Sequence, residues 1–399
     1  MSWVSPESLA QVREGAGLRP EEVEKEAKRL HRNLFATVSA QQLGEWEQGR
    51  SSPDLEHLET LAEIYGCPVG YFFLDEPPQK PLPLSFRGLA PGKEEHFGPQ
   101  TQRTLQRFLE LAEWIATLIE GHGLAWEVKV RQMATGKPSL GELVDEGRSR
   151  LGFGEEIRKS WKSPQQALVW WRQRIEEQGV FCFQMKLETK DVRGASVWLR
   201  GRYPFVVINH QDAEAATGRL FTLLHEYAHL LLGRDGIACD FRGRDKKSGV
   251  EPAANRFAAD MLLPAPAFEQ HLRTSGAYGF RQSWTDAEID RLREPFFVSR
   301  DVVSIRLEQM QLAPPRFYRR KWDQWEQKYA RWRPGGRGRP RTKKEREATE
   351  MGSASLRVLT TLEERGALPV LDAAYALDMK VEKVPEFLEW SKKQVLVRR

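Results

Sequence analysis

Over the first 75 residues, apolar positions recur three and four residues apart between polar breaks, the signature of short helices. Leu9 and Val12 mark one that stops near Gly15 and Gly17. Pro20 followed by Glu21 and Glu22 opens another, with proline in the first turn and acids toward the positive end of the dipole. Ser39 reads as the N-cap of a helix over 40–48 that Gly49 stops. Pro53 and Asp54 open a fourth, with Leu55, Leu58, Leu61, Ala62 and Tyr65 on one face and Gly66 at its end. Residues 76–99 hold six prolines and read as a linker. Leu105, Phe108, Leu109, Ala112, Ile115, Ala116 and Ile119 then return at helical spacing, and a further helix is expected over 167–178. Three short apolar runs, 180–183, 195–199 and 205–208, are rich in Val, Phe and Trp and predict strands. Helices around residue 225, over 251–263 and over 298–310 follow, the second stopped by Pro264 and Pro266. Residues 333–346 are poor in hydrophobics and are expected to be disordered, and 351–392 to form a small helical tail. The pattern is that of a mostly helical α+β chain.

At 399 residues the chain is too long for one core, so two or three domains are expected. We place boundaries at 1–78, 79–99, 100–312, 313–350 and 351–399. No apolar run is long enough to span a membrane, and no signal peptide is read at the N-terminus. Three scattered cysteines, Cys67, Cys182 and Cys239, suggest no disulfide framework and fit a reducing cytoplasm. The net charge of +5 is unevenly spread. Residues 1–78 carry seven Lys and Arg against fourteen Asp and Glu; residues 313–349 carry thirteen against four. The basic character therefore belongs to a late segment and not to the N-terminal helices.

The strongest chemical signal is Phe221-Thr-Leu-Leu-His225-Glu226-Tyr227-Ala228-His229-Leu230-Leu231-Leu232. Histidines four apart lie one above the other on a helix, so both imidazoles can bind one ion. Glu226 sits one residue round and can serve a water on the same metal. The apolar flanks bury this helix, and burying two histidines and a glutamate is costly unless they are paired or metal-bound. A catalytic zinc needs a third protein ligand. Glu251 stands 22 residues beyond His229 at the start of an otherwise apolar helix, and Asn255 shares its face. Glu251 reads either as that ligand or as a helix-starting acid, and Asn255 as a candidate support for the ligand.

Phe-Thr-x-x-His-Glu-x-x-His-Leu-Leu-Leu followed by Glu-x-x-Ala-Asn-x-Phe-Ala-Ala-x-x-Leu-x-Pro resembles the ImmA/IrrE family of zinc metallo-endopeptidases. Gly194-Ala-Ser-Val-Trp198 with Pro204-Phe-Val-Val-Ile-Asn209 resembles the strands before that family's metal helix, and Phe297-Val-Ser299 with Ile305-Arg306-Leu307 its later helix. The N-terminal part is similar to the Xre/Cro-type helix-turn-helix often fused to such peptidases, through Trp46-Glu47-x-Gly49, Pro53, Leu58, Leu61-Ala62, Pro68 and 71–78. The resemblance implies an all-α helix-turn-helix domain, then a zincin-like domain with a small sheet and a helical C-terminal tail. It implies His225, His229 and Glu251 as ligands of one Zn2+ (Mn2+ being the alternative) and Glu226 as general base. Family members cut a cognate repressor, often itself a helix-turn-helix protein, and so switch on a stress-response or mobile-element operon. Tyr278 and His271 are candidates for transition-state stabilisation, set against the plainer reading of loop residues without a role.

The acidic N-terminal domain leaves its partner open. Gln41, Gln42 and Arg50 are the candidate contacts to double-stranded DNA, while Glu45 and Glu47 oppose phosphate. A protein-docking or homodimerising module is the rival. Residues 316–346 combine basic and aromatic side chains in a way that suits base stacking, and Arg337-Gly338-Arg339-Pro340 resembles the core of a minor-groove hook; the competing reading is a solvated linker after an amphipathic helix. Cys239, between the ligands, is either an extra thiolate ligand or a passive loop residue. Three functions follow: an endopeptidase, a non-catalytic DNA-binding regulator whose zinc is structural, or a chain that does both, its N-terminal module bringing the peptidase to a DNA-bound target. The presence of Glu226 favours the first or the third, since a purely structural site has no use for it.

Overall fold

The computed structural model describes residues 4–16, 18–30, 35–67, 69–74, 99–130, 139–187, 193–210, 215–232, 250–329 and 342–397. The chain divides into two compact units, Met1–Arg107 and Phe108–Arg399.

In the first unit, the local cap signals set four helices: α1 (Pro6–Gly15), α2 (Pro20–Leu30), α3 (Ala40–Glu47) and α4 (Leu55–Tyr65). Ser5, Ser39 and Asp54 each accept a backbone N–H in the first turn of α1, α3 and α4. Leu9, Val23, Ala27, Leu43, Trp46, Leu58, Leu61, Ile64 and Phe72 form the core. Leu55 departs from expectation: it is 61% exposed, because the buried face of α4 starts one turn later at Leu58. The Arg13 guanidinium grips Glu47 at 2.6 and 3.0 Å, so Glu47 braces α1 against α3.

The second unit is reached through α5 (Pro99–Gly121) and continues with α6 (Leu140–Leu151), α7 (Glu155–Ser160) and α8 (Pro164–Glu176). The strands β1 (Phe181–Met185), β2 (Gly194–Leu199) and β3 (Tyr203–Asn209) make a sheet of order β1-β3-β2. β1 is parallel to β3, and β2 antiparallel to it, with Cys182 and Ser196 both level with Val206. Strand alternation sorts the two faces. Phe181 stacks on Phe205, Phe183 lies tilted against Phe205, and Phe108 of α5 meets Phe183 and Phe205 edge-on. Cys182, Val206 and Ile208 turn to the other face and join the core of α9 (Ala215–Leu231). Then come α10 (Val250–Leu262), α11 (Ala265–Thr274), α12 (Asp286–Arg293) and α13 (Arg300–Gln309). Of these, α6, α7, α11 and α12 go beyond the helices expected from the sequence.

Two late segments depart from the sequence reading. In α14 (Phe317–Tyr329), Phe317, Trp322 and Trp325 are buried in the same core as α9 and are not a stacking surface for bases. Trp325 donates its indole N–H to Asp286 at 3.1 Å, and Lys321 pairs with the same carboxylate at 2.9 Å. Residues 343–346, expected within the disordered stretch, instead open α15 (Lys343–Glu364), started by a reciprocal Thr342–Glu345 cap. With α16 (Val370–Ala376) and α17 (Val384–Val397), α15 completes the unit. It is anchored at β1: Arg172 donates to the carbonyls of Thr349 (2.8 Å) and Cys182, and Ser353 N–H donates to the buried Glu176 at 3.1 Å.

Candidate metal centre

α9 is buried without interruption from Leu220 to Leu231. An apolar helix of this kind can carry His225, Glu226 and His229, all at most 2% exposed, only if something meets their polar atoms. Four-residue spacing stacks the two imidazoles, whose centroids lie 4.9 Å apart. Their Nε2 atoms approach to 3.1 Å. The carboxylate of Glu251, in the first turn of α10, closes the group: one oxygen lies 3.3 Å from His225 Nε2 and the other 3.2 Å from His229 Nε2. These three residues are the one cluster of metal-ligating type among the described residues.

The donor set fits zinc. Two nitrogens each about 2.05 Å from a tetrahedral ion would stand about 3.3 Å apart, close to the spacing here. Converging imidazole lone pairs and a carboxylate repel one another unless a cation or a proton lies between them. The electrostatics agree. Burial alone would push the Glu251 carboxyl up, but hydrogen bonds and charge from His225 and His229 hold it well below the usual range. Burial acts to lower His229, and Glu251 and Glu226 more than reverse it. Glu226 is driven upward by burial, in spite of the two rings beside it.

Sequence reasoning missed the neighbour of Glu226. Ser196 on β2, 1% exposed, donates its hydroxyl to Glu226 Oε2 at 2.8 Å. On the same strand face, a Cβ at Gly194 would stand 2.6 Å from Thr222 Cγ2 and 3.1 Å from Glu226 Cγ. The Trp198 indole donates to the Leu230 carbonyl at 3.1 Å. The only sequence signal was the alternation Gly-x-Ser-x-Trp, which reads as a strand and says nothing of what it faces.

The other candidates fall as follows. Asn255 lies one turn beyond Glu251; its Oδ1 is buried and accepts no hydrogen bond among the described residues. His271 meets Phe296 edge-on, and Tyr278, 43% exposed, lies under the Arg273 guanidinium. Gln41, Gln42 and Arg50 are exposed on and beside α3. Gln41 donates to Glu45 at 3.0 Å, Gln42 accepts the Ser39 N–H at 3.1 Å in a capping box, and Glu24 accepts the Ala40 N–H at 2.9 Å. Arg337, Arg339 and Cys239 lie outside the described residues.

A buried HExxH helix with a returning glutamate beside a three-stranded sheet defines a metallopeptidase-type domain. Residues 175–308 match the family profile of the IrrE N-terminal-like domain, and residues 7–70 match that of a helix-turn-helix domain. The chain thus joins a domain that matches the IrrE-like peptidase family to an N-terminal stretch that matches a helix-turn-helix domain. No curated protein and no solved structure matches it. Among the described residues, no helix is long and apolar enough to cross a membrane.

Proposed function

We propose that the chain is a cytoplasmic zinc-dependent endopeptidase that hydrolyses a peptide bond in a cognate regulator, a helix-turn-helix repressor, and so derepresses a stress-response or mobile-element operon. The observation carrying this reading is the meeting of His225, His229 and Glu251, from two helices, beside the buried carboxylate of Glu226. Those three residues would hold the ion. When bound, zinc supplies a Lewis acid that polarises a peptide carbonyl and acidifies water. Glu226 takes a proton from the attacking water and returns it to the leaving nitrogen. Its burial keeps bulk water from competing for that proton, and the Ser196 hydroxyl occupies one of its two oxygens. Asn255, one turn beyond Glu251 on α10, is the residue proposed to support that ligand.

The helix-turn-helix domain brings the peptidase to DNA or to a protein partner. Its α3 presents Glu45, spends Gln42 on its own cap and has its N-terminal amide taken by Glu24, which favours the protein partner. The decisive experiment is Glu226→Gln, an isosteric change. It is expected to keep stoichiometric zinc, the melting temperature and any DNA binding in a gel shift, while cleavage of a proteome-derived peptide library falls by at least about a hundredfold, as for loss of a general base. Cleavage by this variant at the wild-type rate would refute the mechanism.

A further inference from the structure

The face of β2 that looks at α9 consists of Gly194, Ser196 and Trp198, two residues apart. Their partners on the helix are Thr222 and Glu226 for Gly194, Glu226 for Ser196 and Leu230 for Trp198. On α9 those partners stand four residues apart. The two spacings agree physically: two strand residues advance about 6.7 Å, and four helical residues advance about 6 Å. Strand and helix therefore run alongside each other in step over three successive contacts, in the same chain direction. Glycine at 194 lets the backbones close up, since a side chain there would collide with Thr222 and Glu226. The Trp198 indole, donating to the Leu230 carbonyl, locks the far end. Ser196 is the middle contact, and it is the one that ends on a reactive group.

Resting on the endopeptidase reading above, we propose that Ser196 is a positioning residue for the general base: its hydroxyl pins Glu226 Oε2 to β2, so that Oε1 is the oxygen presented to the water. A glutamate has three rotatable side-chain bonds, and a general base must sit within hydrogen-bond reach of the proton it takes. Beside His225 and His229 an unpinned carboxylate would fold back onto the imidazoles. The 2.8 Å hydrogen bond, with donor and acceptor both buried, holds it against that pull. Ser196 does so from a strand that also pairs along its whole length with β3, so the anchor is rigid. In this reading it acts on the substrate only through Glu226.

The test compares the full-length wild type, Ser196→Ala, Glu226→Gln and the double variant, each reconstituted with zinc. Metal content, thermal melting, the crystal structure of Ser196→Ala, and kcat and KM on one peptide cleaved from a proteome-derived library are measured. In Ser196→Ala, zinc stoichiometry and KM are expected to stay at wild-type values, and the melting temperature to fall by no more than a few degrees, as for one buried hydrogen bond to a carboxylate. The Glu226 carboxylate is expected to leave its wild-type position, and kcat to fall roughly ten- to a hundredfold, the worth of a hydrogen bond to a charged group. In the Glu226→Gln background the same change should have no further effect, since its action runs through that carboxylate. A Glu226 side chain that superimposes on the wild type, or kcat within twofold of it, overturns the proposal. So does loss of zinc or of folding, or an equal fall in both backgrounds, because each assigns Ser196 a merely structural role. Failure of the endopeptidase reading is recognised separately, by a Glu226→Gln variant that still cleaves or a wild type that cleaves nothing; the crystal structure then decides on Ser196 alone.

Discussion

Gly352→Ala tests whether the C-terminal helices are part of the peptidase body. Gly352 interrupts α15 with φ 77° and ψ 164°, a backbone region that side chains other than hydrogen all but exclude. This kink turns the next amide toward α8, where Ser353 N–H donates to Glu176. A Cβ at this position would run into the Glu176 carboxylate and the Cys182 carbonyl, and would stand 2.7 Å from an Arg172 guanidinium nitrogen. The Cys182 carbonyl is backbone in β1 and cannot move without disturbing the sheet. Three costs follow. The backbone strain is about 2 kcal/mol, and the overpacking about 1 to 3 kcal/mol. Pulling α15 away also takes a donor from the Glu176 carboxyl, which is 2% exposed and already pushed up by burial. Together these come to about 4 kcal/mol or more. A unit of this size loses roughly 2 °C per kcal/mol, so the transition followed by circular dichroism should fall by about 8 °C. Gly366→Ala is the control: its φ is 63°, but nothing lies within 4 Å of an added Cβ, so it should cost only about 1 kcal/mol. A Gly352→Ala protein melting within 2 °C of wild type would refute the reasoning and make the tail a detachable appendage.

Removing zinc with a chelator should lower the melting temperature of the wild type by roughly 5 °C, since a ligand at a hundred times its Kd contributes about 2.7 kcal/mol. Re-added zinc should restore it, and Glu251→Ala should respond to neither; a wild type indifferent to chelation would remove the metal from the account. The bidentate grip of Arg300, aided by Arg293, outweighs partial burial and holds Asp290 below the ordinary carboxylate range. A lowered folded value means stability that is present above the unfolded pKa, about 3.9, and lost as pH falls through the folded one. Asp290→Asn should therefore cost up to about 1 kcal/mol at pH 6, the pair being partly exposed, and progressively less below pH 4. An equal loss at both pH values would exclude that ion pair as its cause.

Much of the site was legible because it is local. His225, Glu226 and His229 are placed by helix geometry, which the apolar pattern of 221–232 already announces. The three strands were read from short β-rich runs and differ from the observed ones by a few residues at their ends. The aromatic residues of α14 were ambiguous for a physical reason. Trp322 and Trp325 beside Arg319, Arg320 and Lys321 have the same composition whether the rings stack on bases or pack into a core. Only the fold sets Trp325 against Asp286 and closes the question. Residues 343–346 misled for another reason: Thr342-x-x-Glu345 is a local cap signal, but the surrounding charge reads as linker.

What the sequence by itself determined is therefore the set of short-range relations: helix caps, strand alternation, and the histidine pair with the glutamate beside it. Their cause is backbone geometry acting over a turn or two. What only the tertiary structure decided is every relation across long stretches of chain. It brings Glu251 to the imidazoles from the next helix, the Ser196 hydroxyl to Glu226 across thirty residues, and Ser353 to Glu176 across 177. Such meetings depend on how strand and helix register when their buried faces pack, and no local pattern of apolar and polar residues encodes that register.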